Sequence, residues 1–128
     1  MSDIAGRIRP TPPALRYVIL RHEGIDEPHF DLMFETSSGS ALATWRCESW
    51  PIETTAALVR LPDHRRAYLD YEGPISGDRG HVTRVTTGFY RLERGDGGRH
   101  WRVTIRDVMG YTQLTLTQDG DDQWTARR

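Results

Sequence analysis

The sequence predicts an all-β fold, a small antiparallel β-barrel of about seven or eight short strands with little helix. Three observations carry this. Apolar and polar residues alternate with a period of two in several segments, as in Trp-Arg-Val-Thr-Ile-Arg at 101–106 and Tyr-Thr-Gln-Leu-Thr-Leu-Thr at 111–117. Turn-forming clusters separate these segments, and no long stretch shows the 3.6-residue apolar period of an amphipathic helix.

The first residues, 1–14, hold Pro10, Pro12 and Pro13 among few apolar residues and read as an irregular leader to a single domain over 15–128. Residues 16–21, Arg-Tyr-Val-Ile-Leu-Arg, are rich in β-formers and make a first strand that runs into His22. A second strand covers 29–35, with Phe30, Leu32 and Phe34 on the side expected to face a core and His29, Asp31, Met33 and Glu35 on the other. Ser-Ser-Gly-Ser at 37–40 turns the chain into a third strand at 41–45, which ends at Trp50-Pro51. Residues 54–61 admit two readings. Ala56, Ala57 and Leu58 favour a helical turn, Leu58 to Leu61 a strand, and the strand is preferred. Residues 61–74 are dense in ionisable and turn-forming side chains and read as a loop that carries chemistry. A long strand follows at 81–92, with Gly88 marking a bulge or a tight approach, and then strands at 101–106, 111–117 and 123–126 joined by turns at 95–98 and 119–122. The four tryptophans read as packing residues rather than base-stacking platforms.

A chain of 128 residues can bury roughly two thirds of its unfolded surface and fold without staples. The single cysteine, Cys47, excludes an internal disulfide and a four-cysteine zinc site, which suits a reducing compartment. No apolar run approaches the ~18 residues of a membrane span, and 1–10 lacks the apolar centre of a signal peptide, so a cytoplasmic protein with no membrane partner is expected. The net charge of −1 argues against a protein that coats nucleic acid electrostatically, while leaving room for a local basic surface. All 17 basic residues are arginines. Arginine suits bidentate phosphate recognition, but a bias spread along the whole chain carries no positional information and fits a GC-rich coding sequence as well.

Two constellations can do chemistry. His29 and Asp31 stand at i and i+2 on one side of a strand, about 7 Å apart and parallel, and His22 lies upstream across a connection containing Gly24 and Pro28 that can fold it back to the same face. Two imidazoles and one carboxylate leave coordination positions open, as catalytic metal sites do. An isolated histidine is more often a surface or hydrogen-bonded imidazole, and the joint spacing is what raises this set above that reading. Asp26 and Glu27 are possible extra ligands but read more simply as solvated charges. The second constellation is His64 and Tyr68, an imidazole and a phenol that can both donate hydrogen bonds to a phosphate oxygen. Asp63, Asp70 and Glu72 either orient His64 or cap turns, and capping is preferred for Glu72. His81 and His100 have no carboxylate at metal spacing and read as structural, as does Cys47.

Taken together, Arg-Tyr-Val-Ile-Leu-Arg-His at 16–22, His-Phe-Asp-Leu at 29–32, Trp45, and Asp-His-Arg-Arg-Ala-Tyr-Leu-Asp-Tyr-Glu-Gly at 63–73 resemble the 3′-phosphoesterase domain of bacterial DNA ligase D and its stand-alone relatives. In that family a first motif reads His, five residues, His-Tyr-Asp-Phe-Arg-Leu, and a second reads Asp-His-Pro-Leu-Asp-Tyr followed by Asp-Phe-Glu-Gly. The likeness spans 16–91. It implies a small β-barrel that trims 3′ ends of DNA in break repair, removing a terminal ribonucleoside and then the 3′ phosphate. It further implies that His22, His29 and Asp31 ligate a divalent metal, Mn²⁺ first and Zn²⁺ second, and that His64 and Tyr68 contact the scissile phosphate. Nucleic-acid 3′ ends, DNA or DNA–RNA, and a DNA ligase or polymerase are the implied partners.

The chain departs from that pattern at four places. His22 and His29 are separated by six residues rather than five, which a loop absorbs. Met33 stands where the family has a phosphate-clamping arginine, Ala56 stands where it has a second, and the lysine after the Trp45 strand has no evident equivalent. Charge-assisted contacts of about 1.5 to 3 kcal/mol each are therefore missing or supplied from elsewhere, with Arg46, Arg60, Arg65, Arg66 and Arg84 as candidates. Two further readings stay open beside the 3′-end phosphoesterase: a catalytically silent module that binds DNA ends or a repair protein, and a β-barrel metalloenzyme for a small phosphoester.

Overall fold

Period-two alternation sends successive side chains to opposite sides of a sheet, and here the sheet closes on itself. The computed structural model describes residues 14–108 and 110–128, so all of the expected leader except Ala14 lies outside the described residues. The strands are β1 (Leu15–Glu23), β2 (His29–Glu35), β3 (Leu42–Cys47), β4 (Thr55–His64), β5 (Gly73–Pro74), β6 (His81–Gly95), β7 (His100–Asp107), β8 (Gly110–Gln118) and β9 (Gln123–Arg127). Their hydrogen-bonded order is β1-β2-β3-β4-β9-β8-β7-β6, and β6 returns antiparallel to β1. Eight strands thus form a closed antiparallel barrel, with the two-residue β5 added to the end of β6. The only helical segments among the described residues are 3-10 turns at Arg66–Leu69 and Asp96–Gly98. The expected fold class is the observed one, and of 54–61 all but Thr54 is strand.

Closure depends on β6, whose first part pairs with β1 from His81 to Tyr90 while its last part pairs with β7 from Tyr90 to Gly95. Of the two roles foreseen for Gly88, tight approach is the one found. A Cβ there would come 3.0 Å from the Arg106 carbonyl oxygen and 3.5 Å from the Tyr17 ring. The register shift lies a few residues away, where Ile19 faces Thr86 but Leu20 faces Arg84, which leaves Val85 unpaired.

The barrel interior holds Tyr17, Ile19, Leu32, Phe34, Trp45, Leu58, Trp101, Val103, Ile105, Leu114, Leu116 and Trp124, all buried. Trp45 is its centre, with edge-to-face contacts to Trp101 at 4.9 Å and to Trp124 at 5.2 Å between ring centroids. Three of the four tryptophans are core residues and Trp50 packs against them, in line with a packing role.

A second apolar cluster lies outside the barrel: Val18, Leu20, Met33, Leu42, Leu69 and Val82, with Tyr68 and Ile75 against it. It corrects the expectation that only one side of the second strand would be buried. His29, Asp31, Met33 and Glu35 are all within 4% of full burial. The chain between β4 and β6 folds back over this outer face and sets Tyr68, Leu69 and Ile75 on it. That segment also corrects the loop expected at 61–74, because β4 continues to His64. Pro62 is tolerated within it for a local reason. β9 pairs only as far as Val59, and the β3–β4 register shifts between Leu42 and Thr44, so a missing N–H at Pro62 removes no ladder hydrogen bond.

Candidate metal centre

The antiparallel hairpin of β1 and β2 brings the first constellation together. His22 and His29 are direct cross-strand partners, with ring centroids 5.0 Å apart, and Asp31 follows two residues along β2 on the same outer face. The connecting turn is closed by Gly24 at φ 76°, a left-handed conformation that glycine adopts without strain. One ligand atom from each of the three side chains lies within 4.8 Å of the others. His29 Nε2 stands 3.2 Å from Asp31 Oδ1, and His22 Nδ1 stands 3.8 Å from Asp31 Oδ2. Donors bonded to one ion at about 2.1 Å are themselves roughly 3 to 4 Å apart, so these separations fit a divalent cation.

Backbone carbonyls orient both rings. His22 Nε2 donates to the Arg79 carbonyl oxygen at 2.7 Å, and His29 Nδ1 donates to the Glu27 carbonyl oxygen at 2.9 Å. The other nitrogen of each ring is thereby turned to the space shared with Asp31, and in the neutral tautomer it offers a lone pair there. The consequence appears in burial: His29 Nε2 and Asp31 Oδ1 are buried and have no hydrogen-bond partner despite their proximity. Two lone pairs facing each other at 3.2 Å repel, and either a proton or a metal cation relieves them. The Asp31 carboxylate accordingly raises the pKa of His29, while burial and the positive charge of Arg46 oppose that shift.

The same outer face carries a row across four strands, Arg84 on β6, Leu20 on β1, Asp31 on β2 and Arg46 on β3. Among the arginines considered from sequence, most are engaged elsewhere. Arg60 lies 4.4 Å over the Trp45 ring and 3.5 Å from Asp63, Arg66 pairs with Glu35, and Arg84 stands 3.9 Å from Glu72. Arg65 lies 6.0 Å from the centre of the Tyr68 ring. Arg46 has no carboxylate at ion-pair distance among the described residues, and its Nε is buried without a hydrogen-bond partner.

His64 and Tyr68 are also brought together, with ring centroids 5.8 Å apart. The Pro62 carbonyl oxygen accepts from His64 Nδ1 at 2.8 Å, which leaves Nε2 free. In register His64 faces Leu42 and Leu42 faces Glu35, so this pair sits four residues along β2 from Asp31, about 13 Å in the strand direction. Tyr68 spans part of that interval, packing on the outer cluster that includes Met33. Tyr68 also lines a groove of about 240 Å³ with Arg65, Tyr71, Pro74 and Arg79, the residue whose carbonyl oxygen holds His22. Asp63, Asp70 and Glu72 make their polar contacts with Arg60, Arg16 and Arg84, and Glu72 accepts the Arg84 backbone N–H at 2.9 Å. Cys47 is buried.

Sequence reasoning missed the carbonyl groups of Glu27 and Arg79, which no side-chain pattern reveals, and the pairing of Arg46 with Asp31, which depends on register. Comparison of the sequence with protein-family models and with curated proteins found no match. No helix of the described residues is long and apolar enough to cross a membrane.

Proposed function

We propose that the chain is a metal-dependent phosphoesterase acting on DNA or RNA 3′ ends in end repair. The observation that supports it most is the pair of buried, unpartnered atoms, His29 Nε2 and Asp31 Oδ1, beside a His22 ring anchored by its far nitrogen. His22, His29 and Asp31 would hold the divalent ion, Mn²⁺ or Zn²⁺, which supplies Lewis-acid polarisation of a phosphoryl oxygen. His64 and Tyr68 contact the phosphate. Water attacks phosphorus as the bond to the sugar 3′ oxygen breaks, and the protonated form of His64, with Nδ1 held by the Pro62 carbonyl oxygen, gives its Nε2 proton to that leaving oxygen. The Tyr68 hydroxyl donates to a non-bridging oxygen. The test is twofold. Purified protein should take up about one equivalent of Mn²⁺ or Zn²⁺, and uptake unchanged in His29→Ala and Asp31→Ala would remove the metal claim. Release of phosphate from a 3′-phosphorylated primer-template with Mn²⁺ should fall roughly 10²- to 10⁴-fold in His64→Ala.

A second reading has its own support. Met33 is buried in the outer apolar cluster and Ala56 packs against the interior core, so both positions where the resembled family carries arginine serve packing here. A catalytically silent module that binds DNA ends, or a ligase or polymerase, would need neither arginine. Tight binding of a 3′-phosphorylated end without turnover, in protein shown to contain metal, selects this reading.

A further inference from the structure

We propose that Arg46 receives the phosphoryl oxygens of a phosphomonoester end at the His22–His29–Asp31 centre. This role rests on the phosphoester reading of the same centre. Three observations point to Arg46 and away from the other arginines. It is the direct cross-strand partner of Asp31, on the outer face that carries the three candidate ligands. Residues opposed in this way have Cβ atoms about 5 Å apart, which puts the space beside the carboxylate within the length of an arginine side chain. Its Nε is buried with no hydrogen-bond partner, an arrangement that leaves a donor for an acceptor the chain itself does not provide. Arg60 and Arg66 pair with Asp63 and Glu35, and Arg84, whose Nε is likewise buried without a hydrogen-bond partner, stands 3.9 Å from Glu72 and two strands from Asp31, across β1.

The chemistry of the ligand follows from these groups. A planar guanidinium matches two oxygens of one phosphate, and a phosphomonoester carries more negative charge than a phosphodiester. Arg46 therefore favours a terminal phosphate over an internal linkage. It is a binding residue that positions the terminal group beside His22, His29 and Asp31, and it transfers no proton.

The experiment compares wild-type protein with Arg46→Met and Arg46→Lys, titrated with inorganic phosphate and with an oligonucleotide bearing either a 3′ phosphate or a 3′ hydroxyl, with and without Mn²⁺. Affinity for inorganic phosphate and for the 3′-phosphorylated end should fall about 10- to 100-fold in Arg46→Met, the loss of one charge-assisted contact, with a smaller fall in Arg46→Lys. Mn²⁺ uptake should persist in both variants. In wild-type protein the NMR signal of the Arg46 Nε–Hε group, assigned through bonds in uniformly labelled wild-type protein, should shift on titration with inorganic phosphate, a readout that does not depend on the variants folding. Unchanged phosphate affinity in Arg46→Met, or an unmoved Nε–Hε signal at saturation, would overturn the role of Arg46 and leave the three-ligand centre standing. Equal wild-type affinity for 3′-phosphate and 3′-hydroxyl ends would overturn both.

Discussion

Single residues set the chemistry of the outer face, and Glu35 shows how. It is buried at the end of β2, where its carboxylate pairs with Arg66 and accepts the backbone N–H of Arg16 at 2.9 Å and of Gly39 at 3.4 Å. Burial pushes its pKa up, but the hydrogen bonds from Arg66, Arg16 and Gly39 more than reverse this, and the net shift is downward from 4.5. A carboxyl that binds its proton less tightly when folded adds stability that is complete above the unfolded value near 4.5 and is lost as pH falls through the lower folded value. Glu35→Gln should thus cost about 1 to 3 kcal/mol at neutral pH and flatten the acid limb of stability, measured by urea unfolding between about pH 3 and 7. A parallel acid limb in variant and wild type would count against this account. Glu35 was legible in the sequence only as a polar position of an alternating strand, since its three donors come from residues 4 to 31 positions away.

At the scale of elements, the segment between β4 and β6 couples packing to the candidate centre. Leu69 and Ile75 cover the outer cluster, and the Arg79 carbonyl oxygen fixes His22. Gly80 is what allows the segment to lie so close. It has φ 76°, and a Cβ there would fall 2.1 Å from the Glu23 carbonyl oxygen at the end of β1. Gly80→Ala must move the backbone beside Arg79, with a strain cost of about 1 to 3 kcal/mol. Loss of an orienting hydrogen bond to a metal-ligating histidine weakens metal affinity by roughly 10- to 100-fold. Calorimetric titration with Mn²⁺ or Zn²⁺ should show that drop in Gly80→Ala, whereas Gly95→Ala, at a glycine with extended backbone and nothing within 4 Å of its Cβ position, should leave metal affinity unchanged. Most strands were readable from alternation and turn residues, and β2 matches its expected limits. β4 ran past the expected stop at Pro62, because the effect of a proline depends on which neighbour its missing N–H would have faced.

For the molecule as a whole, β1 and β2 form one wall of the closed barrel, and their outer face carries the candidate ligands. A ligand that binds only the folded chain stabilises it by RT ln(1 + [L]/Kd), about 2.7 kcal/mol at one hundred times Kd. Saturating Mn²⁺ or Zn²⁺ should therefore raise Tm by several degrees, and a chelator should reverse the rise. Asp31→Asn should abolish the metal-dependent increment. An equal increment in Asp31→Asn would place metal binding elsewhere.

By itself, the sequence determined the all-β class, the order of the main strands and the identity of the three candidate ligands, because alternation, turn chemistry and donor type are local properties of neighbouring residues. The tertiary structure decided what surrounds those ligands. Burial of both faces of β2 follows from a segment some 40 residues later in the chain folding over it. The free nitrogen of each histidine follows from a backbone carbonyl, and the placement of Arg46 beside Asp31 follows from β2–β3 register. Each of these depends on which strands become neighbours, and a shift of one residue would have turned Arg46 to the barrel interior.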